Sequence, residues 1–281
     1  MPKPSKFRPL KPLYRWLFRK DRQRPRGASI EFSGRSDGLG AQIHSLFSLA
    51  AYAHLRGMTF IPQPLWNIAH SEGDTAEWDA KWNRFFNLPP EPKLNPTSRP
   101  TGKIHKLLPL QAGQTYRANK AHEIVDLFPE AYKQVMPGFR QAYDAAPENK
   151  KSLFETDGFK LAIHLRRGDV SAMPDRCSSL DLAKIRIQTL QQTLKPQHSQ
   201  IEILVISQGD PEEFTSLRSL GVRLALNANV FHSFHTMVTA DALLTARSSF
   251  SYAAALLSKN HIVYEPFWHP PLPNWTIQSE L

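Results

Sequence analysis

The chain is almost without cysteine, because Cys177 is the single one among 281 residues. This excludes an intramolecular disulfide and a cysteine-rich zinc site, and it suits a reducing compartment. No apolar run approaches the roughly 18 residues that a membrane-spanning helix needs. The basic start has no long apolar centre of the kind found in signal peptides. We therefore expect a cytoplasmic protein.

The body of the chain also has little net charge. The formal charge is +10, but residues 1–26 hold ten lysines and arginines and one acid, Asp21. The remainder is close to neutral, which argues against a nucleic-acid-binding body, since such a body carries a basic face. An apolar content of 41% is sufficient for a sizeable core.

Residues 1–27 form a separate basic tail with interleaved aromatic and leucine side chains. One interpretation is a disordered, solvated segment. The other is an amphipathic segment on an anionic inner membrane face, where each basic residue contributes roughly 1 kcal/mol and the aromatic residues are buried at the interface. A nucleic-acid-binding tail is the weaker alternative.

The first half of the body begins with a βαβ pattern. A short apolar strand at 28–32 leads into a glycine loop, a helix from Ala41 to Leu55 and a strand at 58–61. Gly38 and Gly40 would let an anionic ligand approach the helix start closely. Their spacing matches neither a dinucleotide fingerprint nor a phosphate loop, so this signal alone is weak.

The part that follows is harder to interpret. Residues 62–112 look irregular, with an aromatic set that fits packing or, less often, the lining of an acceptor site: Trp66, Trp78, Trp82, Phe85 and Phe86. Residues 118–146 look helical, and 147–157 are the best candidate linker. We therefore expect domains at 28–150 and 151–281.

The second half alternates strands and helices regularly. Strands are predicted at 159–165, 201–206, 222–226, 243–246 and 261–265, with helices between them. This alternation is typical of a parallel sheet covered by helices on both faces. The fold class is therefore α/β, with two doubly wound domains facing a central cleft.

Anion-binding residues follow two of these strands. FKLAIHLRRGDV, residues 159–170, carries apolar strand residues directly into Arg166 and Arg167. Two guanidiniums at a strand end can grip a phosphate, but they can equally be solvated or paired with Asp169. Ser248 and Ser249 stand where another strand meets a helix, which fits an anion site or simple helix capping.

Three motifs resemble those of GDP-fucose-dependent fucosyltransferases, in particular the α1,6-fucosyltransferase and rhizobial nodulation group. They are GLGAQIHS at 38–45, HLRRGD at 164–169 and ADALLTARSSFSYAAALLS at 240–258. They occur in the family's order and span most of 28–265.

The resemblance implies a GT-B fold, inverting transfer without a metal, and a GDP-sugar donor in place of any cofactor. The absence of an Asp-x-Asp pair from the sequence agrees, because the usual metal–diphosphate clamp is missing. Arg166 matches the diphosphate-binding arginine, and Arg167 would assist it or hold the loop. The other matched donor-binding positions are His164 near the guanine, Asp241, Ser248, Ser249 and Phe250, with Gly38, Gly40 and Gln42 on the loop facing the donor.

Some features depart from the family or remain open. Phe250 stands where the α1,6 enzymes carry glutamine. The general base is undefined: Asp37 is favoured over Asp169 and His44, because an acceptor hydroxyl needs a nearby proton acceptor. His232 and His235 have a metal-like spacing, but packing or guanine-side contacts are preferred.

The sequence therefore favours a cytoplasmic fucosyltransferase that uses a nucleotide sugar and a glycan or lipid-linked acceptor, held near the inner membrane face by its tail. The alternatives are transfer of another nucleotide-linked sugar, and a non-catalytic GT-B-like protein whose tail binds membrane or RNA.

Overall fold

The computed structural model describes residues 12–13, 26–104, 110–148, 150–173 and 175–280. Most of the basic tail lies outside these ranges, so its membrane role stays a prediction. The chain divides into two compact units, Met1–Asn149 and Lys150–Leu281. None of the helices in the described part has both the length and the apolar character required to span a bilayer.

The first unit is built on a four-stranded parallel sheet of order β3-β1-β6-β5. Its strands are β1 Ser29–Phe32, β3 Thr59–Ile61, β5 Arg99–Lys103 and β6 Thr115–Lys120, and a two-stranded pair joins β2 Asp37–Gly38 to β4 Ile68–Ala69. Its helices are α1 Leu39–Arg56, α2 Thr75–Phe86, α3 His122–Val125 and α4 Tyr132–Asp144, with a 3-10 turn at Pro129–Ala131.

The central helix α1 is nearly all buried, which explains its run of small and apolar residues. It ends where Gly57 adopts a left-handed conformation with φ of 64°. The sequence analysis missed helix α2 and strand β5, which lie within the stretch 62–112 that was expected to be irregular. It also missed strand β6, because 118–120 were predicted to be helical. Its sequence TYRANK has no long apolar run, because only three of its six positions are buried.

The second unit is a six-stranded parallel sheet of order β12-β11-β10-β7-β8-β9. Its strands are β7 Phe159–His164, β8 Ile201–Ser207, β9 Arg223–Leu226, β10 Ala242–Leu244, β11 His261–Tyr264 and β12 Thr276–Ile277. Its helices are α5 Leu180–Leu194, α6 Thr215–Arg218, α7 Val230–Thr239 and α8 Ser249–Leu257, with 3-10 turns at Pro211–Phe214 and Gln278–Glu280.

The core of this unit lies against the central strands. Leu161 and Ile163 of β7 and Val205 of β8 are fully buried and pack with Ala183 and Ile187 of α5. Continuous apolar strands of this kind are expected when both faces of a parallel sheet are covered. The five strands predicted in this half are all present, and the α/β fold with two parallel sheets is confirmed.

Gly34 provides a stability test in the first unit. It has a φ of 71°, and a Cβ there would lie 1.7 Å from Nε1 of Trp66, whereas Gly113 has a φ of 70° with nothing within 4 Å. Gly113→Ala should cost about 1 kcal/mol of unfolding free energy from backbone strain alone. Gly34→Ala should cost about 1–3 kcal/mol more, since the indole must move. Urea denaturation would measure both, and equal costs would contradict the close packing of Trp66 on Gly34.

Candidate functional site

The candidate site lies at the carboxyl edge of the second sheet. Counted along the chain from β7, the strand order is 3-2-1-4-5-6, so β7 and β10 are neighbours whose connections leave in opposite directions. In open parallel sheets, ligands bind in the crevice that this reversal creates outside the strand ends. The residues that enter it follow β7, at 165–169, and β10, at 245–250.

Arg166 is the first charged residue after β7, and its backbone is fixed on both sides. Its N–H donates to Ser178 Oγ at 2.9 Å, and its carbonyl accepts from the Ser178 N–H at 2.8 Å. The guanidinium donates from Nη2 to Asp169 Oδ2 at 2.6 Å. Its Nε is buried and, among the residues described, has no hydrogen-bond acceptor. The Nε–H of Arg166 is therefore a donor that the described residues leave unused.

Burial lowers the pKa of Arg166, and the charge of Arg176 lowers it further, while Asp169 acts in the opposite direction. The side chain retains only 22% of its exposure. A guanidinium stays protonated under such conditions. A desolvated cation with one carboxylate partner and an unused donor is well suited to a doubly charged anion, because the interaction gains strength as water is excluded.

Arg167 differs from Arg166 in its partners, although its Nε too is buried without an acceptor among the residues described. It pairs with Glu213 and donates from Nη1 to the carbonyl of Ser178 at 3.0 Å. It also lies 5.7 Å from the ring centroid of Phe214. These contacts tie the loop after β7 to the turn after β8. The structure thus favours the loop-holding role for Arg167.

His164, the last residue of β7, is a neutral imidazole. Burial and the charge of Arg166 lower its pKa from 6.5 to about 3. Its Nδ1 is buried without a partner among the residues described, and its ring centroid lies 6.0 Å from that of Phe250. Phe250 in turn packs edge-on against Phe234 of α7 at 5.2 Å. The structure therefore brings His164 and Phe250 together beside Arg166.

Ser248 and Ser249 stand at the start of α8. Ser248 is the N-cap residue, and its Oγ accepts from the Phe250 N–H at 3.2 Å. Ser248 therefore caps the helix, which was one of the two roles that the sequence left open, the other being an anion site. Ser249 is the first helical residue and is half-buried. The helix start adds a partial positive charge to the same crevice.

Two further arginines at this edge were missed by the sequence analysis. Arg247 pairs with Glu265 at 3.2 Å and donates to the carbonyl of Asp175 at 3.2 Å. Arg176 lies 5.4 Å from the ring centroid of Trp268, and its Nε is buried without a partner in the described part of the chain. Arg247 directly precedes Ser248, and this position in the sequence could have indicated that Arg247 lies at the same edge. No sequence pattern links Arg176 to Arg166.

Asp241 does not join this group. It precedes β10, and its Oδ2 accepts from the N–H of Lys160 at 2.8 Å near the start of β7. This is the amino edge of the sheet, opposite the carboxyl edge that holds Arg166 and Ser248. In the structure, Asp241 therefore joins the start of β10 to β7. The role in donor binding that the resemblance implies for Asp241 has no geometric support within this unit.

The other predicted residues belong to the first unit. Gly38 is the N-cap of α1 with an ordinary φ of −62°, and Gly40 lies inside the helix, so the expected flexible loop is shorter than predicted. Gln42 donates from Nε2 to the carbonyls of Asp37 and Trp66 at 3.1 and 3.0 Å. The side chain of Gln42 thus holds two loops together.

The candidate general bases all have partners. Asp37 pairs with Arg35 and accepts from the Gly38 N–H at 2.8 Å. Asp169 pairs with Arg166, as described above. His44 is buried on α1, and its Nε2 shares a hydrogen bond of 2.8 Å with the Tyr132 hydroxyl. His44 is therefore a core residue, whereas Asp37 remains the favoured base as a prediction.

His232 and His235 lie on α7, one turn apart and both half-buried. Phe234, between them in sequence, is part of the aromatic contact with Phe250. The preference for packing or guanine-side contacts over a metal site stays a prediction.

Comparisons with known proteins gave structural similarities only. No family model matches the chain, and no curated protein matches it. Its structure is similar to that of Arabidopsis thaliana FUT1 in complex with GDP, with a TM-score of 0.43, 12% identity, and coverage of 99% of this chain and 83% of that one.

It is also similar to fucosyltransferase NodZ from Bradyrhizobium, with a TM-score of 0.46, 11% identity and coverage of 85% and 96%. A third similar structure is E. coli heptosyltransferase WaaC with ADP-2-deoxy-2-fluoro heptose, with a TM-score of 0.42, 14% identity and coverage of 89% and 92%. Likenesses at this level concern fold, and a fold hosts many functions.

The neutral state of His164 can be tested by NMR of labelled histidines. Because its pKa in the folded protein is about 3 and that of an unfolded histidine is about 6.5, its resonances should not titrate between neutral pH and about pH 4.5. The unfolded chain binds a proton that the folded chain does not, so stability should fall as pH drops below about 6.5. His164→Gln should reduce this acid sensitivity, and titration near pH 6.5 would contradict the buried geometry.

The role assigned to Arg167 can be tested by thermal denaturation. Arg167→Met keeps the apolar stem but removes the contacts to Glu213 and Ser178, so the melting temperature should fall by several degrees. Arg218→Met, on α6 of the same unit, is the matched control and should melt close to wild type. Equal melting of the two variants would argue that Arg167 does not hold the loop.

Proposed function

We propose that the second unit binds the diphosphate of a nucleotide sugar and that the protein is a glycosyltransferase. The observation that carries this is the placement of Arg166, with an unused donor, at the switch point of a 3-2-1-4-5-6 parallel sheet. Arg176 and the start of α8 add positive potential there. Such a crevice favours a compact, multiply charged anion attached to a larger ligand.

In the proposed reaction, an acceptor hydroxyl attacks the anomeric carbon of the donor sugar. The bond from that carbon to the β-phosphate oxygen breaks, and its electron pair leaves on the diphosphate. Arg166 stabilises this developing charge, so its contact is stronger in the transition state than with the bound donor. The hydroxyl proton passes to a base, for which Asp37 is the favoured candidate.

Fucose from GDP-fucose is the donor we favour, with inversion at the anomeric carbon and no metal requirement. The support is the ordered set of three motifs that resembles GDP-fucose-dependent enzymes. The neutral His164 beside Phe250 offers a buried imidazole and an aromatic ring next to the diphosphate position. A neutral imidazole suits contact with a nucleobase, which itself is uncharged.

The cellular setting is part of the proposal. A cytoplasmic enzyme whose basic tail rests on the inner membrane face would meet glycan acceptors linked to lipids. Vesicle flotation of the full chain and of a chain lacking residues 1–26 tests this step, and unchanged partitioning would remove the membrane association.

Calorimetry with GDP, GDP-fucose, GDP-mannose and UDP-glucose tests the donor site. Wild type should bind the GDP compounds, and Arg166→Ala should weaken binding at least about tenfold, since a charge-assisted hydrogen bond is worth roughly 1.5–3 kcal/mol. Lys195→Ala removes one charge after α5, at the amino edge of the sheet, and should bind as wild type.

Three outcomes separate the alternatives. Absence of nucleotide binding by wild type at millimolar concentration would refute the proposal. Tightest binding to a different nucleotide sugar would replace fucose as the donor. Nucleotide binding without transfer or donor hydrolysis would indicate a non-catalytic protein. Turnover that survives chelation by EDTA is the expected result for a metal-independent reaction.

A further inference from the structure

Arg176 differs from the other arginines at the carboxyl edge of the second sheet, because it has no carboxylate partner among the described residues. Each of the other three pairs with a carboxylate: Arg166 with Asp169, Arg167 with Glu213, and Arg247 with Glu265. The Nε of Arg176 is also buried without an acceptor in the same part of the chain. The charge of Arg176 is therefore not neutralised by any of the described side chains.

The guanidinium of Arg176 lies against an aromatic ring instead of an acid. Its Cζ is 5.4 Å from the ring centroid of Trp268, and its Nη1 donates to Sδ of Met173 at 3.9 Å. Contact with an indole face attracts a cation, and a thioether sulfur is a weak acceptor. Both contacts orient a guanidinium without cancelling its charge. Arg176 is thus held in place and still able to bind an anion.

The indole of Trp268 has a fixed position after β11, although it is 61% exposed. The Tyr264 hydroxyl accepts from the Phe267 N–H at 2.8 Å and donates to the His269 carbonyl, so the backbone is fixed on both sides of Trp268. The buried ring of Phe267 stacks on the indole with 4.8 Å between centroids. Trp268 therefore offers Arg176 a support that is locked by its own neighbours.

The loop that carries Arg176 crosses the carboxyl end of β10. The carbonyl of Asp175 accepts from Nη1 of Arg247, the residue before the N-cap of α8, at 3.2 Å. This loop follows β7 and Trp268 follows β11, and β10 lies between those two strands in the sheet. The contact between Arg176 and Trp268 therefore spans the end of β10, which forms one side of the crevice described above.

Arg176 is also close to Arg166 along the backbone contacts of this loop. Ser178, two residues after Arg176, donates its N–H to the Arg166 carbonyl at 2.8 Å and accepts from the Arg166 N–H at 2.9 Å. The N–H groups of Arg176 and Cys177 donate to the Met173 carbonyl at 2.9 and 2.8 Å, which fixes the turn between them. The two guanidiniums thus leave neighbouring backbone segments at the same edge of the sheet.

We propose that Arg176 is a second guanidinium that binds the diphosphate of the donor and that Trp268 is the residue that positions it. Guanidinium groups bind phosphate oxygens with fixed, two-pronged geometry. Arg166 shares its guanidinium with Asp169, whereas Arg176 breaks no ion pair with a described residue when an anion binds. The inference rests on the proposed transferase function, because it assigns two further residues to the same site.

This assignment also has a consequence for the reaction. The departing diphosphate gains negative charge as its bond to the sugar breaks. A second guanidinium that is already in place stabilises that charge without reorganisation, so the contact of Arg176 is stronger in the transition state than with the intact donor.

Calorimetry of the full chain with GDP and GMP tests the role of Arg176. Wild type should bind GDP more tightly than GMP. Arg176→Met keeps an apolar stem and removes the charge, so its affinity for GDP should fall about tenfold, with a smaller loss for GMP, which lacks the second phosphate. Arg218→Met, which removes an exposed arginine at the end of α6, is the matched control and should bind both nucleotides as wild type.

A double-mutant cycle tests the positioning role of Trp268. Trp268→Leu keeps an apolar side chain on Phe267 but removes the ring, so GDP affinity should fall severalfold. The same change in the Arg176→Met background should cause no further loss, because Trp268 acts only through Arg176. Trp268→Phe keeps a ring and should retain most of the affinity. Melting temperatures near that of wild type show that each variant is folded.

Other outcomes would overturn the inference. Arg176→Met that binds GDP as wild type, or that loses equal affinity for GDP and GMP, refutes the contact with the diphosphate. Additive losses from Arg176→Met and Trp268→Leu refute positioning by Trp268. Arg166→Ala on the same ligands separates the two proposals: weaker GDP binding in Arg166→Ala but not in Arg176→Met refutes this inference alone. Absence of GDP binding by wild type refutes the donor site, and this inference with it.

Discussion

The reversal of strand order between β7 and β10 is the constraint on which the candidate site depends. Because the two strands are parallel neighbours, their carboxyl ends lie at one place, and because their connections diverge, a crevice opens between them. Residues 84 positions apart in the chain, Arg166 and Phe250, thereby come to border one crevice. The proposed anion site depends on this topology together with the arginine that it presents.

The two adjacent arginines of the HLRRGD motif illustrate how packing separates similar residues. The backbone of Arg166 is fixed by Ser178 while its guanidinium keeps an unused donor. Arg167 donates from Nη1 to Ser178 and from Nη2 to Glu213, and its Nε, like that of Arg166, has no acceptor among the described residues. Side-chain chemistry is the same in both, so the difference lies in which partners the 3-10 turn after β8 and the loop before α5 supply.

The two sheets can be compared by the side chains that lie at their carboxyl edges. Each unit places cations at the carboxyl edge of a parallel sheet, Arg166 and Arg176 in the second and Arg35 and Lys120 in the first. The surroundings differ: the second unit adds a helix start and a neutral histidine, and the first adds an exposed indole. This difference is why we propose that the second unit binds the nucleotide.

The sequence by itself determined five of the six strands of the second unit, because apolar runs such as IEILVI are typical of strands buried on both faces. The two-residue strand β12 was not predicted. It also indicated Arg166, which follows the apolar run of β7, and Ser248, which stands between a strand and the helix after it. Tertiary structure alone decided the rest. The half-polar strand β6 became recognisable only through its pairing with β1, and Asp241 went to the amino edge because linear spacing does not say which end of a strand faces a ligand. Arg176 and Trp66 acquired their places through contacts with residues distant in the chain, which no local pattern encodes.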